Sequence, residues 1–100
     1  MEKILLDFNL IKTQEQVQDY LALQFDFPEY YGKNLDALYD MLTERRSDTC
    51  VGIFGADHED ALGGYLKRVK KVFQDAEADN EHLCVIFSNL EENYEEEELL

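Results

Sequence analysis

Three short apolar runs, separated by much longer stretches with helical periodicity, constrain this chain more than any other feature. Residues 3–8 (Lys-Ile-Leu-Leu-Asp-Phe), Cys50–Phe54 (Cys-Val-Gly-Ile-Phe) and His82–Ser88 read as strands, being short and rich in apolar and β-branched residues. The intervening stretches are too long for hairpins, and crossovers of that length suit parallel neighbours. Strand, helices, strand, helices, strand is the order of an α/β domain whose small parallel sheet is flanked by helices. A chain of 100 residues has room for one such core.

Local signals place the helices. Thr13-Gln-Glu-Gln16 has capping-box spacing, and Val17, Tyr20, Leu21 and Phe25 follow at helical intervals. Pro28 pushes Phe27 out of helical geometry, and Gly32 permits a turn with positive φ before Asn34, a good N-cap. A second, short helix then spans Leu35 to Thr43. A short helical turn is expected over residues 57–62. A longer amphipathic helix runs from Gly64 to Asp79 with Leu66, Val69, Val72, Phe73 and Ala76 on one face.

Charge narrows the partners. Against 9 Lys+Arg stand 23 Asp+Glu, a formal net charge of −14. Nucleic acid and anionic membranes both demand a cationic face, so neither is an expected ligand, and a cationic partner is favoured. Glu91, Glu92, Glu95, Glu96, Glu97 and Glu98 supply six acids in eight residues. Such a self-repelling block is expected to be a disordered tail, residues 91–100, following a domain of residues 1–90 that still carries −8. The longest apolar runs are only a few residues, too short for a membrane span or a signal-peptide core, so export by such a signal is not expected. Cys50 and Cys84 lie in apolar strands without metal-ligand or CxxC spacing. They are expected to be buried free thiols in a reducing cytoplasm.

The richest stretch is Pro28-Glu-Tyr-Tyr-Gly-Lys-Asn-Leu-Asp-Ala-Leu-Tyr-Asp40. On a helical wheel Leu35, Leu38 and Leu42 form the core face, and Asp36, Tyr39, Asp40 and Thr43 form the adjoining stripe. Two carboxylates at i, i+4 repel one another unless a cation compensates them. Asp36 stands in the first turn, where the macrodipole favours an acid and a structural role suffices. Asp40 lies beyond that turn and is either a solvated surface acid or a contact. Tyr30 and Tyr31 are either packing residues or interface aromatics. In the long helix, Lys67, Arg68, Lys70 and Lys71 precede Asp75, Glu77 and Asp79, the reverse of what the macrodipole prefers. Either intrahelical pairs such as Lys71 with Asp75 absorb this charge, or an outside partner uses the acids.

Catalytic alternatives are thin. Asp57-His58-Glu59-Asp60 suggests a metal-dependent hydrolase, but contiguous loop residues rarely converge on one ion. His82 enters an apolar strand with no nucleophile in a recognisable context. Gly52, Gly55, Gly63 and Gly64 match neither a dinucleotide fingerprint nor a P-loop. No catalytic residue, metal ligand or cofactor is assigned, and the chain is not expected to be an enzyme.

Pro28–Asp40 resembles the barstar family of bacterial ribonuclease inhibitors, which carries Pro-Glu-Tyr-Tyr-Gly, one variable residue, then Asn-Leu-Asp-Ala-Leu. The similarity extends more loosely through Val72-Phe73-Gln-Asp-Ala-Glu-Ala and Val85-Ile-Phe-Ser. The resemblance implies a barstar-like fold, a three-stranded parallel sheet flanked by helices, and a binding face on the second helix and its preceding loop. It implies an inhibitor that binds a basic, barnase-like microbial ribonuclease one to one. Asp40 would take the place of an RNA phosphate among the enzyme's cations, supported by Tyr30, Asn34, Asp36, Tyr39 and Thr43, with Asp75 at the rim. Tyr39 replaces the tryptophan of the best-known member, and Glu44-Arg45 replaces Gly-Trp. Arg45 and Arg46 thus put positive charge near a rim expected to meet a basic enzyme, which leaves a different cationic toxin as the alternative partner.

Overall fold

The computed structural model describes residues 1–56, 62 and 64–88. The elements follow in the order β1 (Glu2–Asp7), α1 (Gln14–Phe25), α2 (Leu35–Thr43), β2 (Thr49–Phe54), α3 (Tyr65–Asp79) and β3 (Leu83–Ser88). The sheet order is β1-β2-β3 and both pairings are parallel, the arrangement expected from the long crossovers. The expected helical turn at 57–62, its acid–histidine cluster and the glutamate tail fall wholly or largely outside the described residues.

Alternation along the strands gives the sheet two unlike faces. Ile4, Leu6, Val51, Ile53 and Leu83 are buried. The opposite face carries exposed Lys3, Leu5, Cys84 and Ile86, with Cys50, Gly52 and Phe54 half-buried. The buried face joins Val17, Leu21 and Phe25 of α1, Leu38 and Leu42 of α2, and Leu66, Val69, Phe73 and Ala76 of α3 in one core. Burying each of the larger side chains stabilises the fold by about 1.5–3 kcal/mol, so the faces read from periodicity are the ones that fix where each helix lies.

Helix ends follow their local chemistry. The Thr13 side chain accepts the Gln16 N–H at 3.0 Å, and the Gln16 amide oxygen accepts the Lys12 N–H at 2.9 Å. The first bond uses a donor that the opening turn leaves without a helical acceptor, and the second ties the residue before the cap to the helix. Asp26 ends α1 in the left-handed region (φ 55), with the Phe27 N–H donating back to the Ala22 carbonyl. That closure precedes Pro28, which prevents the helix from resuming. The turn before α2 corrects one expectation: positive φ falls on Lys33 (φ 53), not on Gly32. At Gly32 the constraint is space instead, since a Cβ there would stand 3.2 Å from Asn34 Nδ2 and 3.4 Å from the Ala37 Cβ, and the capping side chain would have to shift by a few tenths of an ångström.

Candidate functional site

Asn34 caps α2: its side-chain oxygen accepts the Ala37 N–H at 2.7 Å and its Nδ2 donates to the Gly32 carbonyl at 3.3 Å. With Leu38 and Leu42 buried, the helix must turn Asp36 and Asp40 to solvent, and both are exposed. Thr43 spends its hydroxyl on its own helix, donating to the Tyr39 carbonyl at 2.8 Å. The loop tyrosines divide. Tyr30 is 80% exposed, whereas Tyr31 is buried and donates to the Gln18 side-chain oxygen, and Gln18 Nε2 donates to the Tyr65 hydroxyl at 2.7 Å. Burial, followed by the nearby Tyr65, pushes the Tyr31 phenol far above its ordinary value.

The neighbouring helix completes the acidic surface. The Tyr39 hydroxyl donates to the Asp79 carboxylate, tying α2 to the last turn of α3. This hydrogen bond, then desolvation, then the charges of Asp79, Asp75 and Asp40 raise the Tyr39 pKa. One carboxylate of α3 thus bonds the phenol directly, and Asp75 of α3 and Asp40 of α2 act on it through their charge. Asp36, Asn34 and Tyr30 lie toward the start of the same helix and on its preceding loop.

The reversed charge order of α3 has internal uses for each acid. Asp75 pairs with Lys71 at 3.4 Å across one turn of exposed helix, Asp79 accepts from Tyr39, and Glu77 accepts the Val85 N–H of edge strand β3 at 2.7 Å. The last contact covers an edge donor that the sheet itself does not pair. These contacts offset the unfavourable dipole placement, and Asp75 stays half-exposed, open to a second contact.

Two residues stand apart from the sequence reading. Arg45 does not project its charge at the rim: its guanidinium bonds Glu2, donates from Nε to Thr49 Oγ1 at 3.2 Å and lies 5.5 Å from the Phe25 ring centroid. Arg46 alone of the pair is exposed. Asn80, which the sequence did not mark, is buried. Its Nδ2 donates to the carbonyls of Leu42 (2.9 Å) and Arg45 (3.1 Å), and its Oδ1 accepts the His82 N–H (3.0 Å). One amide thus joins the end of α2 to the α3–β3 junction. His82 holds Asp48 at 2.8 Å, an end-of-strand contact. Among the described residues, no cluster of three metal-ligating side chains occurs, and no helix is long and apolar enough to cross a membrane.

A three-stranded parallel sheet flanked by helices is the fold expected from the Pro28–Asp40 resemblance. The sequence profile of the family described as Barstar (barnase inhibitor) matches residues 1–99. The chain belongs to the barstar family. Among curated proteins, the "Putative ribonuclease inhibitor YrdF" of Bacillus subtilis (strain 168) is 49% identical over 43 residues. That match covers 43% of this chain and 47% of the relative, so the chain is aligned to about half of that protein's length. The family's own description is that of an inhibitor of a ribonuclease.

Proposed function

We propose that this barstar-family protein is a cytoplasmic immunity-type inhibitor that binds a basic, barnase-like bacterial ribonuclease one to one and fills its active site with α2. Asp40 takes the position of an RNA phosphate among the enzyme's cations. Asp36 adds charge one turn earlier, Tyr30 offers a ring for stacking, and Tyr39 and Asp75 form the adjoining rim. Asn34 and Thr43 act chiefly by holding the helix in shape, since their polar atoms are already bonded within it.

One observation carries the reading: Asp36 and Asp40 have no cation to compensate them among the described residues. Lys33 pairs with Asp19, Arg45 with Glu2, and Lys71 with Asp75. A repelling i, i+4 carboxylate pair on a solvated face weakens the isolated helix by a few tenths of a kcal/mol, and a cationic site would reverse that cost. A ribonuclease site holds a phosphodiester with cationic donors, and a carboxylate on a rigid helix satisfies the same donors through charge-assisted hydrogen bonds. The net charge of −14 would speed encounter with a basic enzyme in a salt-dependent way.

The test is binding kinetics against a guanyl-specific ribonuclease, with denaturant melts of each variant. Asp40→Ala leaves desolvated cations unpaired in the complex, so affinity should fall by about 2–5 kcal/mol, mainly through faster dissociation. Its stability should stay within about 0.5 kcal/mol of the parent, because the side chain makes no buried contact. Asp75→Ala should cost less affinity and mainly slow association. Undiminished binding by Asp40→Ala refutes the phosphate mimicry. Failure of the parent itself to bind such an enzyme redirects the acidic face to another cationic toxin.

A further inference from the structure

Both cysteines are free thiols, yet they are neither fully buried nor apart: Cys50 is half-buried and Cys84 is exposed. The β2–β3 register sets them directly opposite one another. They share the sheet face that the described helices leave uncovered, beside Leu5 (67% exposed) and Ile86 (52% exposed). This corrects the expectation of two buried thiols: apolar neighbours suggest burial, but strand alternation turns Cys84 outward between Leu83 and Val85.

Geometry favours a bond between them. Adjacent strands lie about 4.7–4.9 Å apart, inside the roughly 4.4–6.8 Å Cα window of disulfides. Side chains at paired positions of a sheet point to the same face. The Cys50 side chain first, then desolvation and the charge of Glu77, raise the Cys84 pKa.

We propose that Cys50 and Cys84 are a reversible oxidation site on the open face of the sheet, converted by hydrogen peroxide to an intramolecular disulfide that ties β3 to β2. The exposed Cys84 thiolate attacks one peroxide oxygen, the O–O bond breaks, and hydroxide leaves as water after protonation. The resulting sulfenic acid is attacked by Cys50 sulfur, the S–O bond breaks, the S–S bond forms, and a second water departs. Two thiols lose two electrons and peroxide gains them. Cys84 is exposed, and the usual strand spacing lies near the short end of the disulfide Cα range, so a thiol reductant reverses the bond. Because the Cys84 thiolate is scarce at neutral pH, the reaction accelerates as pH rises.

The reduced full-length chain, treated with peroxide, unfolded, alkylated and weighed intact, tests this. The parent should become lighter by two hydrogens, take up no alkylating agent and regain both thiols with dithiothreitol. Cys50→Ser, which retains only the exposed thiol, should stop at a Cys84 sulfenic acid trapped by dimedone. The oxidised parent should also melt at a higher temperature than the reduced one. Covalent dimers instead of an internal bridge, or a parent in which Cys84 reaches sulfinic acid while Cys50 stays alkylatable, overturns the proposal. An unchanged melting midpoint in the bridged form overturns the strand-tying role.

Discussion

Replacing Asn80 by alanine removes three hydrogen bonds at the junction of α2, α3 and β3 while leaving every apolar core contact in place. Its donations to Leu42 and Arg45 and its acceptance from His82 are each worth about 0.5–1.5 kcal/mol net, and a buried group left without a partner costs about 1–3 kcal/mol. Only the bond to Leu42 is fully buried, so water recovers part of the other two losses. The expected cost is therefore about 2–4 kcal/mol. For a domain of this size that lowers the melting midpoint by roughly 8–32 °C, with little change in the denaturant slope. Asn80→Asp sharpens the test. Its carboxylate can still accept the His82 N–H, but it faces two carbonyl oxygens that need a donor. Only the protonated form suits the site, so the folded-state pKa is raised. The contribution is then fully present below the ordinary aspartate value near ~3.9 and lost as pH rises through the raised folded value. Melts of parent and variant across pH should show their stability gap widening from acid to neutral. If Asn80→Ala melts within about 1 kcal/mol of the parent, or the Asn80→Asp gap is flat with pH, the amide does not hold this junction.

Tyr31→Phe leaves the Gln18 oxygen without its donor and should cost about 1–3 kcal/mol at neutral pH. The folded parent retains the Tyr31 proton beyond the ordinary value of 10.0, so its stability should fall as pH climbs past 10. The variant should show a shallower fall in urea melts, though not a flat one, because Tyr39 is also held up by Asp79. Gly55→Ala places a Cβ 2.7 Å from the Asn9 side chain at φ +78, and Gly64→Ala meets nothing within 4 Å at φ +87. Left-handed strain of about 1–2 kcal/mol applies to both, so chemical denaturation should find Gly55→Ala the more destabilising by roughly another 1 kcal/mol, and equal losses would contradict the contact.

The sequence by itself determined the elements and their inward faces. Leu38 and Leu42, or Leu66, Val69, Phe73 and Ala76, repeat at helical spacing because a helix must bury one stripe. Asn34 and Thr13 announce helix starts because a cap acts on donors only two or three residues away. The unpaired carboxylates of α2 were legible for the same reason, being neighbours on one turn of one helix. The tertiary structure alone decided which polar groups meet across elements. Asn80 reaches Leu42, Tyr39 reaches Asp79, Glu2 reaches Arg45 and Cys50 faces Cys84, all from positions at least 34 apart in the chain. Periodicity reports the face an element buries, but a polar pair forms only after two buried faces have fixed the docking and register of their elements. That is why the sequence placed Asp40 on its stripe, while the docking of α2 on α3 decided that Tyr39 of the same stripe would meet Asp79.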